Sequence, residues 1–69
     1  MSESMAATEH VLERIVMAKR LGGLHLAEAA GLLRALYEPT PGEIYASAEM
    51  QARYLVGFRD GRMILEVAR

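Results

Sequence analysis

The stretch Arg53-Tyr-Leu-Val-Gly-Phe-Arg-Asp-Gly-Arg-Met-Ile-Leu-Glu-Val-Ala-Arg69 decides the fold, because two self-consistent readings compete for it. In the first, Asp60-Gly61 is the type I′ turn of a β-hairpin. Phe58 then pairs with Met63, Val56 with Leu65 and Tyr54 with Val67, and all six side chains share one face. In the second, the stretch is helix: nothing breaks the chain between Glu43 and Val56, and Leu55, Phe58, Arg62 and Leu65 continue an apolar stripe. Gly57 and Gly61, four residues apart, each cost about 1 kcal/mol in helix propensity but let a neighbouring backbone come close. Gly57 also weakens the hairpin, since glycine is poor inside a strand, and a lone hairpin is marginal without support. Helix is the preferred reading. The expected fold is all-α, a small three-helix protein; the alternative is α+β, with two helices, a short helix and a C-terminal hairpin over residues 53–69.

Upstream lies the start signal that favours helix. Thr40-Pro41-Gly42-Glu43 offers an N-cap hydroxyl, a proline at the first helical position and a glutamate three residues on, the pattern of a capping box. Ile44, Ala48, Ala52 and Leu55 then line one side of the predicted third helix, with Tyr45 and Val56 beside it. A second helix is predicted from Leu26 to Tyr37. Leu26, Ala29, Ala30, Leu33 and Tyr37 fall on one face, Leu32 and Leu36 widen it, and small positions including Gly31 permit close approach. It ends before Pro39, because a residue preceding proline is pushed out of the α region. A first helix, from about Met5 to Leu21, carries Val11, Leu12, Ile15, Val16 and Ala18 at helical spacing. Its acids lie in the first half and its bases in the last turn, which complements the helix dipole. Gly22-Gly23 supplies the positive φ expected past a helix end and folds the first two helices into an antiparallel pair. Residues 1–5 are expected to be disordered, and the whole chain, 1–69, to form one domain.

Composition bounds what such a domain can do. The chain has 69 residues, 52% of them hydrophobic, no cysteine, and a net charge of −1. Below about 70–80 residues one core rarely supplies more than ~3–5 kcal/mol, so natural proteins of this size add disulfides, metals or oligomerisation. Disulfides are impossible here, so the leftover apolar surface is expected to meet protein, first a second copy in a homodimer. Without a basic excess to neutralise phosphate, a freestanding nucleic-acid binder is disfavoured. No apolar run approaches the ~20 residues needed to cross a bilayer, and the acidic N-terminus lacks a secretory pattern. A cytoplasmic location is the expectation.

Catalytic chemistry is not expected. His10 and Glu13 share a helix face, but a closed metal site needs four ligands, and no second cluster is visible. Serines lack a nearby His–carboxylate pattern, and no thiol exists. Gly22-Gly23 is followed by Leu-His-Leu rather than the lysine and hydroxyl of a phosphate loop. Catalytic, cofactor-binding and metal residues are therefore none. Contact residues are expected instead at the corner formed by Tyr37 with Leu33, Arg34 and Leu36, next to the stiff Glu38-Pro39-Thr40-Pro41 turn. Aromatic and arginine side chains are the usual anchors of interfaces. The bland alternative packs Tyr37 into the helical core. Tyr45, Tyr54 and Phe58 are expected in the core or a dimer interface.

Two resemblances bear on function. Leu24-His-Leu-Ala-Glu-Ala-Ala-Gly-Leu-Leu looks like the first helix of a helix-turn-helix domain of the excisionase or MerR type, with Pro41-Gly-Glu-Ile-Tyr opening the recognition helix. The implied function is a small DNA-binding regulator. However, Arg34 to Thr40 is longer than the usual tight turn, and Glu43 and Glu49 would repel phosphate. Length, charge and helical character, with Met17-Ala-Lys-Arg-Leu-Gly-Gly and Tyr54-Leu-Val-Gly-Phe-Arg-Asp-Gly as the most individual stretches, resemble the small early-expressed anti-quorum-sensing proteins of Mu-like Pseudomonas phages. That resemblance implies a homodimeric inhibitor in the host cytoplasm. Its implied targets are a LuxR-type transcription activator and a type IV pilus assembly ATPase, both disabled by surface binding.

Overall fold

The structure, a computed structural model, describes residues 3–42 and 45–67. Three helices account for most of them: α1 (Glu3–Leu21), α2 (His25–Tyr37) and α3 (Ala48–Val67), with no strand among the described residues. The fold is all-α. Asp60 and Gly61, the turn of the hairpin alternative, lie inside α3. α1 begins at Glu3, within the stretch 1–5 expected to be disordered, and residues 1 and 2 lie outside the described residues.

The glycines of α2 and α3 explain why helix prevails. A β-carbon placed on Gly57 would overlap the Glu28 carbonyl, and one on Gly31 would overlap the Tyr54 carbonyl and stand 2.6 Å from the Phe58 nitrogen. On Gly61 it would stand 2.6 Å from the Ala35 methyl. Thus α2 and α3 meet backbone to backbone, with Ala27, Gly31 and Ala35 buried on one side and Gly57 and Gly61 on the other. Dispersion attraction along so close a crossing offsets the poor helix propensity of glycine. α3 is the main neighbour of α2, α1 the next, and α1 meets α3 least.

The third helix does not begin where its sequence pattern places it. Pro41 and Gly42 are outside any helix, Gly42 has φ +72°, and α3 starts at Ala48. Glu43 and Ile44, the other half of the expected box and stripe, lie outside the described residues. Ser47 caps α3 instead: its hydroxyl accepts from the Met50 N–H at 3.3 Å, and its carbonyl accepts from the Gln51 N–H at 2.9 Å. Two anchors hold Thr40 and Pro41 outside a helical path. Arg34 Nε donates to the Thr40 carbonyl at 2.9 Å, and the Tyr54 hydroxyl donates to the Pro41 carbonyl. Replacing Ser47 by Ala should cost about 1 kcal/mol, as loss of an N-cap hydroxyl does. Equal denaturation midpoints for Thr40→Ala and Ser47→Ala would restore the upstream start.

The other helix ends follow the sequence. Gly22 and Gly23 take φ +69° and +54°, and the Gly22 N–H bonds to the Ala18 carbonyl at 3.1 Å, closing α1. Glu38 is extended before Pro39 and bonds back to the Arg34 carbonyl at 2.9 Å, closing α2.

The core is small. Ala7, Val11, Ala18, Ala27, Ala29, Leu32, Ala35 and Tyr54 are buried, and only Val11, Leu32 and Tyr54 among them are sizeable. The shortest dimension, 15 Å between Cα extremes, is two helices deep at the usual axial separation of ~8–10 Å. α2 packs against both neighbours, whereas α1 and α3 are each covered mainly on one side. On α3 that side is Tyr54, Gly57 and Gly61, whereas the predicted stripe of Ala48, Ala52 and Leu55 faces outward. On α2 the predicted face divides: Ala29 and Leu32 go inside, Ala30 is half-buried, and Leu26, Leu33 and Tyr37 are exposed. In both cases the glycines select the buried side, because only they allow the backbones to touch.

Candidate protein-docking surface

On α2 the side opposite the glycine contact forms a seam. Leu26, Ala30, Leu33 and Tyr37 follow one another at spacings of four, three and four, the spacing with which one helix presents knobs to another. Leu26 is 52% exposed, Leu33 44% and Tyr37 76%. Toward the C-terminal end, Ala30, Leu33, Arg34, Tyr37 and Glu38 line a cleft whose floor includes Tyr54. Toward the N-terminal end, Ile15 and Lys19 of α1 join Leu26, Ala29, Ala30 and Leu33 in a second shallow cleft. Ala30 and Leu33 belong to both, so the seam is continuous from Leu26 to Tyr37.

Three of the four contact residues expected from sequence meet here. Leu33, Arg34 and Tyr37 share the C-terminal cleft, and Tyr37 is outside the core. Leu36 is not among the lining residues; it is half-buried, one turn after the fully buried Leu32. Arg34 is committed to the cleft wall, with its Nε held by Thr40 and its guanidinium against Gly42, where a β-carbon would stand 2.9 Å from Cζ. It positions the connector beside Tyr37. Tyr45 stacks on Tyr54 with centroids 5.3 Å apart and rings tilted by 56°, and its N–H donates to Gln51 Oε1 at 2.8 Å. These contacts support the cleft floor from below.

A polar cluster that no sequence pattern announces ties the three helices together. Glu28, whose side chain is 13% exposed, receives Arg14 of α1 and Arg53 of α3, each at 3.4 Å. Arg14 also bonds Asp60 of α3 at 3.1 Å. The Asp60 bond raises the Arg14 pKa above its ordinary value, burial opposes it, and the Glu28 bond adds to it. His25 Nδ1, buried without a hydrogen-bond partner, lies 3.6 Å from Glu28 Oε1. A helical acid at position 28 with bases far away in sequence carries no local signal, so only the fold reveals this cluster. Truncating Glu28 to Ala should cost about 1–3 kcal/mol, because partly buried cations lose their acceptor. Glu66, 57% exposed and paired to Arg62 at 3.5 Å, should lose only a few tenths of a kcal/mol when truncated. Parallel urea titrations compare the two, and equal losses would demote the cluster to surface decoration.

Neither His10 nor Glu13 is buried, and among the described residues no group of three or more His, Cys, Asp or Glu side chains is placed to hold a metal ion. Among the same residues no helix is long and apolar enough to cross a membrane. The architecture defines a three-helix scaffold with an apolar seam on its outer side. No known family model, curated protein or solved structure matches the chain.

Proposed function

We propose that this chain is a small homodimeric inhibitor that binds host proteins through the Leu26–Tyr37 seam and acts in the cytoplasm by occupying surfaces, without chemistry of its own. One observation carries the reading. Among the described residues twelve large apolar side chains are exposed, against three sizeable ones fully buried. Apolar surface on that scale is the ordinary mark of a protein interface, and on α2 Leu26, Leu33 and Tyr37 align it along one helix face. The seam has the form that helix-in-groove recognition uses, with anchors at successive turns and an aromatic at its end. The phage-protein resemblance supplies the targets: a LuxR-type activator and a type IV pilus assembly ATPase.

Titrating the purified chain into each purified target, with sedimentation of the chain alone, tests the proposal. The expected results are saturable binding to at least one target and a mass near twice 7.6 kDa. Binding to neither, together with retardation of random duplex DNA that weakens steeply with salt, would transfer the function to the helix-turn-helix reading.

A further inference from the structure

The first helix is apolar on two sides. Its inner side buries Ala7, Val11 and Ala18. Its outer side exposes Leu12, Val16 and Met17, at 45%, 48% and 55%, in a shallow groove edged by Glu13 and Arg20. The lining residues of this outer groove are distinct from those of the α2 seam.

The charges around the groove identify what covers it. Glu9 and Glu13 stand in the N-terminal half of α1, Lys19 and Arg20 in its last turn, and all four are exposed. A two-fold axis crossing α1 midway between Leu12 and Val16 brings Leu12 opposite Val16 of a second copy. The same axis sets Glu9 opposite the second copy's Lys19, on both sides at once. A parallel arrangement instead places acid on acid and base on base. Two-fold pairing of one patch with itself is also the commonest way identical chains associate. We propose that the outer face of α1 docks antiparallel on the same face of a second copy of this chain, with Lys19 at the border between this interface and the Leu26–Tyr37 seam. This assignment rests on the homodimer reading above and names its interface.

Charge reversal tests it with a built-in rescue. One variant carries Glu9→Lys and Glu13→Lys; the other carries Lys19→Glu and Arg20→Glu. Antiparallel pairing makes each variant repel itself, so each should dimerise at least about tenfold more weakly than wild type. Mixed in equal amounts they should form a heterodimer, because every opposed pair is again of opposite sign. Sedimentation equilibrium of the wild type, each variant and the mixture reads the masses, and circular dichroism confirms that α1 stays helical. Damage to the fold would not be repaired by mixing, so rescue isolates the interface. A wild-type dimer whose strength neither variant changes, or variants that weaken it without rescue, would overturn the antiparallel α1 interface while leaving the homodimer intact. A wild type that stays at 7.6 kDa throughout the micromolar range would remove the homodimer itself, and the interface with it.

Discussion

Gly57→Ala should destabilise the protein by about 2 kcal/mol or more, although the same change in an isolated helix stabilises by about 1 kcal/mol. The added methyl overlaps the Glu28 carbonyl, and a backbone atom cannot rotate aside as a flexible side chain does. The helices must separate along their length, which also breaks the close approach at Gly31 and Gly61. Overpacking of this kind costs about 1–3 kcal/mol, and a domain of this size has only ~3–5 kcal/mol to lose. Gly31→Ala should behave alike, since its new methyl meets the Tyr54 carbonyl. Arg59→Ala, on the exposed side of α3, should stay within about 0.5 kcal/mol of wild type. Denaturant titrations at one fixed protein concentration give the comparison. A Gly57→Ala protein more stable than wild type would mean that α2 and α3 do not touch through their backbones.

Tyr37→Ala should weaken target binding by about 2 kcal/mol or more, a loss of roughly thirtyfold, the scale of an interface hot spot. Tyr37 is 76% exposed, so its removal leaves no cavity. It stands on the last residue of α2, beside a connector fixed by Arg34 and Tyr54. A preorganised aromatic loses little conformational freedom on docking, and that is why its contacts survive as affinity. Helicity and self-association should be unchanged, which circular dichroism and sedimentation check on the same sample. Leu36→Ala provides the contrast: Leu36 is half-buried and outside the cleft, so its loss should appear in stability before it appears in binding. Full target affinity in the Tyr37 variant would place the contact surface elsewhere.

The helical class and the number of helices were legible because the signals are local. Gly22-Gly23 and Pro39 mark ends through their own backbone preferences, and the Gly57/Gly61 spacing announces a close helix contact. The inward side of each helix was not legible. The α2 face read from hydrophobicity groups Leu26, Leu33 and Tyr37 with Ala29, whereas the structure buries Ala29 together with Ala27, Gly31 and Ala35 and leaves the three large residues exposed. The small residues make the tighter contact, and the large ones are left outside. The start of α3 was misplaced for a similar reason. Thr40-Pro41-Gly42-Glu43 satisfies the capping pattern, but the Arg34 and Tyr54 anchors that hold Thr40 and Pro41 outside a helix come from other elements of the fold. The Glu28 cluster joins residues up to 46 positions apart, beyond the reach of any spacing rule.

The backbone contact between α2 and α3 separates two kinds of information within one short chain. The scaffold is specified by the glycines and alanines of the helix contacts with Val11, Leu32 and Tyr54, all turned inward. Large side chains that the scaffold does not use, Leu26, Leu33 and Tyr37 among them, stand on the outside. Substitutions along Leu26, Leu33 and Tyr37 therefore change what the surface fits at little cost to folding, since exposed positions away from caps and ion clusters tolerate replacement. Under the proposed function, descendants of such a chain acquire new targets by rewriting one helix face, while positions 31, 57 and 61 stay glycine. The same separation makes the chain a practical starting frame for selecting binders from a library varied only along that face.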